Sequence, residues 1–280
     1  MSHERFVLRR GDAQYPPLLD ESVDPPAVLY GIGDPAALTP GVAVVGARRA
    51  TPYGVRCTRT FAGFLGAAGV TVISGAAIGC DAEAHNAALA ACGRTVAVLG
   101  CGPDVDYPRR SAGLLAQLRA GHAVVSERPW GAEPTRWAFV RRNRIIAGLS
   151  VAVLVIEAGL PSGTFSTADA ALDSGRDVLA VPGSVFSPES RGSNRLIRQG
   201  AMMITDVAEL AAALGIEGGN PKERTVPEGE VMRALAADPM RPDDLARALG
   251  MDIVVTGRIL GALEATGAVK RYADGRYGAA

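Results

Sequence analysis

The sequence predicts an α/β protein with a doubly wound, mostly parallel sheet and a small C-terminal winged-helix domain. Short apolar runs rich in Val, Ile and Ala recur along the chain, and each ends in Gly, Ser or Glu. Segments rich in Ala and Leu, with helical spacing, lie between these runs. Continuous apolar strands that alternate with helices are typical of a parallel sheet covered on both faces. A change of pattern after about residue 213 predicts the second domain.

The first domain is predicted to span residues 1–213. Residues 1–40 are rich in proline and predict a lead-in segment with one short strand at "AVLYGIG". The predicted strands are 41–49, 70–79, 95–102, 122–127, 151–159 and 177–184, and the predicted helices are 54–68, 82–92, 110–120 and 164–174. In a doubly wound sheet, ligands bind beyond the carboxyl ends of the strands, so function is expected in the loops that follow them.

The second domain is predicted from the last part of the chain. Turn formers and charges in "GIEGGNPKERTVPEG" predict a linker over residues 214–226. Residues 227–280 then show three short helical patterns and a hairpin with "ADG" at its tip, which predicts a winged helix. Its expected recognition helix, 252–266, carries Asp252, Arg258 and Glu264, and this mixed charge does not indicate duplex binding. Protein contact is left open as the alternative.

Composition limits the classes of function. The chain has 29 basic and 29 acidic residues, so bulk charge does not draw it to DNA or to a membrane surface. We expect a cytoplasmic protein that makes no membrane contact, because no signal peptide and no long apolar run are found. The four cysteines lack CxxC spacing and predict reduced thiols rather than a disulfide framework or a metal site.

Several common catalytic and cofactor motifs are missing from the sequence. The loop after the first main strand is "GARRAT" and the loop after the third is "GCGPDV", and neither matches GxGxxG. No GxxxxGK[ST] motif occurs, and the α/β domain contains no lysine, which excludes a P-loop ATPase. The hydrolase motifs GxSxG and HExxH are also missing. The sequence therefore predicts no cofactor, no metal and no catalytic residue.

Small residues and arginines instead fill four predicted strand-end loops. Such residues let a ligand approach backbone N–H groups, and a helix start favours an anion. Each loop alone has an ordinary explanation, such as a helix cap or a solvated charge. Four of them at one sheet edge together favour phosphate binding. The residues are Gly46, Arg48 and Arg49; Ser74, Gly75 and Gly79; Ser162, Gly163, Thr164, Ser166 and Thr167; and Asn194 and Arg195.

The stretch "RRNRIIAGLS" adds a further group of charges. Arg141, Arg142, Asn143 and Arg144 stand directly before an apolar run. We expect a helix whose apolar part packs on the sheet and whose first turn holds the arginines, pointed at the groove beyond the strand ends. Phosphate contact is favoured over simple solvation.

The α/β portion resembles the DprA/Smf family of bacterial DNA-processing proteins from about Tyr15 to Leu210. The resemblance rests on eight motifs in order: "YPPLL", "VVGARRATPYG", "SGAAIGCDAEAH", "VAVLGCGPDVDYP", "RNRIIAGLS", "SGTFSTADAAL", "VPGS" and "GSNRLIRQGA". Members have an extended Rossmann-like domain and often a C-terminal winged helix. Many also carry an N-terminal helical domain of sterile-alpha-motif type, which we expect this chain not to include.

The resemblance also implies a function and a set of contacts. Members bind single-stranded DNA, form homodimers, load the recombinase RecA and serve natural transformation. It implies phosphate contacts by Arg48, Arg109, Arg142 and Arg144, with Asn143, Gly163 and Thr164 beside them, and we add Arg110 to this set. We therefore predict a non-enzymatic, single-stranded DNA-binding recombination mediator. Tyr53, Phe139 and Trp137 are candidates for base stacking, although aromatic residues make up only 5% of the chain and core packing is favoured for Phe139.

Two other functions are left open. One is a nucleotide-binding enzyme similar to the lysine-decarboxylase-like phosphoribohydrolases, which share a related α/β fold and a PGGxGTxxE loop. Here the corresponding loop is "PSGTFSTADAA", where the glutamate is missing and Asp169 is displaced from its place. The other is a small-molecule carrier with the same pocket, which leaves the arginine loops unexplained.

Overall fold

The computed structural model describes residues 4–216, 228–272 and 274–279. The chain divides into two compact units, Met1–Pro221 and Lys222–Ala280. The predicted linker, 214–226, falls largely on residues 217–227, which lie outside the described residues. The exact domain boundaries therefore stay predictions.

The first unit is built on one mixed sheet. Its strands are β1 (Arg5–Arg9), β2 (Val28–Gly33), β3 (Gly41–Val45), β4 (Thr71–Ser74), β5 (Thr95–Val98), β6 (Ala123–Ser126), β7 (Ser150–Val155), β8 (Asp177–Ala180) and β9 (Met202–Met203). In the described residues these nine strands lie in the order β1-β2-β6-β5-β4-β3-β7-β8-β9. Strands β3 to β9 pair in parallel, whereas β2 pairs antiparallel with both β1 and β6.

Eight helices connect and cover these strands in the described part of the first unit. They are α1 (Pro17–Asp20), α2 (Pro52–Ala67), α3 (Cys80–Ala90), α4 (Ala112–Gly121), α5 (Arg136–Gly148), α6 (Thr164–Asp173), α7 (Arg191–Arg198) and α8 (Val207–Ala213). Alternate residues of each strand face opposite sides of the sheet. Val42 and Val44 therefore share a core with α2, α3 and α8, while Ala43 and Val45 share one with α1, α5, α6 and α7.

The direction in which the strands are added reverses at β3. Strands β4, β5 and β6 follow on one side of it, and β7, β8 and β9 follow on the other. Loops that leave β3 and β7 must diverge at this point, which opens a crevice beyond the carboxyl ends of the two strands. The predicted doubly wound sheet and its six strands are confirmed, and the binding edge stays a prediction.

Three details differ from the sequence prediction. The lead-in segment holds the expected strand, β2, but also β1 and α1, because Leu8, Leu19 and Leu29 all enter the main core. The charged stretch was expected to begin a helix, yet α5 already begins at Arg136. Arg141 to Arg144 consequently lie in its second and third turns, and the expectation that they occupy the first turn is wrong.

The second unit has the predicted winged-helix architecture. It contains α9 (Glu228–Ala237), α10 (Pro242–Leu249), α11 (Ile253–Ala265) and a hairpin of β10 (Val269–Arg271) and β11 (Tyr277–Ala279). The Asp252 carboxylate accepts hydrogen bonds from the N–H groups of Val254 and Val255, so α11 begins where the recognition helix was predicted. The predicted hairpin tip includes Ala273, which is outside the described residues.

No helix among the described residues combines the length and the apolar character needed to cross a membrane.

Candidate nucleic-acid interface

Two buried residues of opposite charge, Arg142 and Asp81, lie at the carboxyl edge of the sheet. Arg142 on α5 is only 6% exposed, and its Nη1 donates to the carbonyl oxygen of Gly75 at 2.9 Å and to that of Val98. Asp81, at the start of α3, is buried opposite it. Burial lowers the pKa of Arg142 to about 10, although the negative charge of Asp81 opposes this shift. Burial also raises the pKa of Asp81, although Arg142 opposes that shift.

Asp81 lies close to three backbone N–H groups of the neighbouring loops. Those of Ala77, Gly46 and Gly75 favour its charged form and lower its pKa, against the larger effect of burial. A Cβ added to Gly75 would lie 2.5 Å from the Arg142 guanidinium, so the glycine makes room for that side chain. The expectation that Arg142 is a solvent-facing phosphate contact is therefore wrong, whereas contacts by Gly46 and Gly75 stay predictions. Arg142 instead fixes the turn after β4 to the end of β5.

The two neighbouring arginines, Arg141 and Arg144, are paired with acids. Arg144 bonds Asp24 at 2.7 Å and Glu127 at 2.7 Å, and Arg141 bonds Glu127 at 3.1 Å. Glu127 directly follows β6, and Asp24 precedes β2. A phosphate contact by either arginine stays a prediction, and it would have to compete with these two carboxylates.

Four other arginines lie exposed at this edge. Arg48 and Arg49 are in the loop after β3, and Arg109 and Arg110 are in a short 3-10 helix after β5. In the described part of the chain, none of the four has a carboxylate within 4.0 Å. Because their charge is not compensated locally, they provide the positive potential of the edge.

An aromatic stack lies among these charges. The Tyr107 and Phe139 rings are stacked with their centroids 5.2 Å apart, and the Arg48 guanidinium lies 5.9 Å from the Phe139 centroid. Tyr107 is exposed and Phe139 is half-buried, so the stack is open to solvent on one side. Phe139 and Trp137 were expected to be near the site. Tyr107 was missed, because its place depends on how the long loop after β5 folds back over α5.

The hydroxyl-rich loop after β7 lies beside this stack in the crevice. Ser162 and Thr164 share a hydrogen bond of 3.0 Å between their hydroxyl groups, and the Ser166 hydroxyl donates to the Gly163 carbonyl at 2.8 Å. The Asn143 side chain donates to Ser166 Oγ at 2.7 Å and thereby ties α5 to the start of α6. Gly163 itself is exposed, and a Cβ there would meet open space.

Several remaining predicted residues have structural roles. The Ser74 hydroxyl is buried and donates to Val44 O at 2.7 Å, and the Thr167 side chain is also buried. Gly79 adopts a φ of +92° against the carbonyl groups of Ala47 and Arg48, where only glycine is free of strain. The Ser74 and Thr167 side chains do not reach solvent, so a contact by either residue would have to use its backbone N–H group and stays a prediction.

Asn194 and Arg195 lie on α7, next to the loop that follows β8. The Asn194 amide bonds the N–H and the carbonyl of Gly183, at 3.1 and 3.0 Å, so it braces this loop. Arg195 is exposed, and its guanidinium lies 5.7 Å from the Phe165 ring centroid at the start of α6. Arg195 therefore stays a candidate contact, while the Asn194 side chain is already engaged.

The fold and this edge together define an α/β protein of the extended Rossmann-like class that carries an arginine- and aromatic-lined crevice and a C-terminal winged helix. The chain belongs to the family described as DNA recombination-mediator protein A, which matches residues 6–215. Residues 218–275 match the DprA winged helix domain.

Individual relatives agree with this assignment. The chain is 46% identical over 198 residues to protein Smf of Escherichia coli, covering 70% of this chain and 53% of that protein. It is 44% identical over 209 residues to protein Smf of a Synechocystis strain, covering 73% and 52%. The chain thus spans about half the length of these two curated relatives.

Two solved structures share the fold. DNA processing protein A of Streptococcus pneumoniae superposes with a TM-score of 0.71 at 37% identity, covering 76% of this chain and 74% of that one. The Helicobacter pylori protein, whose structure is described as showing a unique single-stranded DNA binding mode, superposes with a TM-score of 0.69 at 31% identity. That match covers 76% of this chain and 96% of the other.

Proposed function

We propose that this protein is a recombination mediator that binds single-stranded DNA at the carboxyl edge of its sheet. The observation that carries the proposal is the open stack of Tyr107 and Phe139 beneath Arg48, next to Arg109 and Arg110. Arginines with no acidic partner suit the phosphates of a backbone, and open aromatic rings suit unpaired bases. The single-stranded DNA binding mode described for the Helicobacter pylori relative supports the same ligand.

The physiological part of the proposal comes from the family. We propose that the protein acts in the cytoplasm as a homodimer that loads RecA onto the bound strand during natural transformation. Strand β9 forms an edge of the sheet, and Met202 and Met203 are each 50% exposed there. An exposed apolar edge strand is suited to pairing with a second copy.

We also propose that the protein is not an enzyme. Glu157, the buried carboxylate after β7, accepts hydrogen bonds from the Thr51 N–H at 2.9 Å and from the Thr51 hydroxyl at 2.7 Å. Both oxygens therefore hold the start of α2. Asp169 is exposed on α6, outside its first turn. A phosphoribohydrolase would need a carboxylate directed at the crevice, and these two do not supply it.

A titration with labelled oligonucleotides tests the proposal. Fluorescence anisotropy should show tighter binding to single-stranded DNA than to a duplex of the same length, at the same salt. The binding constant should fall steeply as salt rises, because cations are released from the backbone. Equal affinity for duplex, or release of base or ribose phosphate from nucleoside monophosphates, would overturn it.

A further inference from the structure

One aromatic side chain is almost fully exposed to solvent. Phe186, in the loop between β8 and α7, is 92% exposed, and its neighbour Val185 is 77% exposed. No other large hydrophobic side chain in the described residues exceeds this exposure. An isolated exposed apolar side chain is common on proteins, so exposure alone does not indicate a function. The surroundings of this ring do indicate one.

The loop that carries Phe186 is held on both sides. Tyr53, on α2, donates its hydroxyl to the Pro182 carbonyl at 2.6 Å, and the Asn194 amide pairs with the backbone of Gly183. Next to the ring, the Phe186 N–H donates to Ser184 Oγ at 3.2 Å. The loop is thus braced while its apolar tip buries nothing. A braced loop presents the ring at little cost in conformational entropy when a ligand binds.

This loop continues the interface described above. It leaves the carboxyl end of β8, the neighbour of β7, at the same edge as the arginine loops. The Gly192 N–H donates to the Ala158 carbonyl at 2.7 Å, which joins the segment to the loop that carries Gly163. Arg191 and Arg195 are exposed beside it, while Glu189, the one carboxylate between β8 and α7, accepts a hydrogen bond from Ser187.

We propose that Phe186 stacks on a base of the bound single strand, at the opposite end of the interface from Tyr107 and Phe139. This inference rests on the proposed function. The loops after β5 and β8 are separated by four strand intervals, or about 19 Å at the usual spacing. One ring with one exposed valine beside it matches one nucleobase, whereas a protein partner requires a broader apolar patch. Phe186 then contributes to binding of strands long enough to cover the whole edge.

The test compares Phe186→Ala, Phe186→Leu and Phe186→Tyr with the parent protein and with Leu172→Ala. Leu172 is also exposed, but it lies at the end of α6, away from this edge, and serves as the control. Anisotropy is measured with oligothymidylates of about 4 and about 16 nucleotides, the range of single-strand site sizes. Melting temperature and light scattering are recorded for each variant.

We expect Phe186→Ala and Phe186→Leu to weaken binding of the long strand about five-fold or more, the lower end of base–aromatic stacking energies. Binding of the short strand should change less, because it fits at Tyr107 and Phe139 alone. Phe186→Tyr and Leu172→Ala should match the parent, and all variants should melt alike.

Three results would overturn the inference. Parental affinity of Phe186→Ala for the long strand would show that no base meets the ring. Parental affinity of Phe186→Leu, with a loss in Phe186→Ala, would show apolar contact without stacking. A change in oligomeric state that accounts for the lost affinity would assign Phe186 to a protein contact. A parent protein that binds no single-stranded DNA would instead reject the proposed function, and this inference with it.

Discussion

Arg142 Nη1 lies 2.9 Å from the carbonyl oxygen of Gly75 and also donates to the carbonyl oxygen of Val98. A buried cation therefore joins the turn after β4 to the end of β5, and the buried Asp81 lies close enough for its negative charge to favour the charged form of Arg142. This arrangement fixes the turn between β4 and α3 without exposing either charge. The loops on either side of it can then present Arg48 and Tyr107 from a rigid base.

Substitution of Arg142 should lower the free energy of unfolding. Arg142→Ala leaves the buried carbonyl oxygens of Gly75 and Val98 without this donor, and an unsatisfied buried polar group costs about 1–3 kcal/mol of unfolding free energy. Thermal or denaturant unfolding measures the loss. Arg94→Ala is the matched control, because Arg94 is exposed directly before β5 at the opposite edge of the sheet. Arg176 would be a poor control, since it donates to the Leu18 carbonyl at 2.9 Å. Equal stability of Arg142→Ala and Arg94→Ala would contradict the structural role.

His85 should make stability depend on pH. It is buried on α3, its Nδ1 lies 2.6 Å from Thr95 Oγ1, and burial lowers its pKa from 6.5 to about 3. The unfolded chain therefore binds a proton between these values that the folded protein excludes. The stability contributed by neutral His85 is fully present above about pH 6.5 and is lost as the pH falls towards 3.

The measurement is the unfolding free energy as a function of pH, for the parent protein and for His85→Asn. In this window the unfolding free energy of the parent should fall by about 1.4 kcal/mol per pH unit more than that of the variant. Asparagine keeps a polar group near Thr95 but does not titrate. Parallel pH profiles for the two proteins would contradict a buried neutral histidine.

The exposed arginines should act on DNA binding and not on stability. Arg48→Ala and Arg109→Ala each remove one phosphate contact, so the slope of log K against log salt should shrink by about 0.7 per substitution. Melting temperatures should barely move, because an exposed arginine without an acidic partner contributes little to folding. Anisotropy titrations at several salt concentrations measure the slope, and Arg94→Ala again serves as the control. Unchanged slopes for both variants would show that the single-stranded DNA does not contact these two arginines.

Strand β9 should mediate the proposed dimer. Met202→Lys puts a charge on the exposed edge of the sheet and should convert a two-fold dimer to a monomer, because charged side chains block edge-to-edge pairing. Light scattering at micromolar concentration measures the state of assembly. The melting temperature of the separated subunits distinguishes lost assembly from unfolding. A parent protein that is already monomeric would refute the proposal at once.

The sequence by itself determined the architecture. Runs such as 41–46 and 151–156 are apolar throughout, and a continuous apolar run of this kind is typical of a strand covered on both faces. The loops that follow these strands were therefore known to share one edge, and the motifs in them placed the chain in its family. β1 escaped prediction because "RFVLR" alternates weakly between buried and exposed positions at the rim of the sheet.

Only the tertiary structure decided which arginines are exposed and lack an acidic partner at the candidate interface. Arg141, Arg142 and Arg144 are adjacent in sequence, yet each residue of a helix turns about 100° from the last, so they meet different surroundings. Arg142 points under the sheet edge to the carbonyl oxygens of Gly75 and Val98, while its neighbours meet Glu127 and Asp24, and all of these come from distant parts of the chain. Local patterns give the position of a charge along an element. Its burial and its partners depend on contacts between remote segments, and these exist only once the chain has folded.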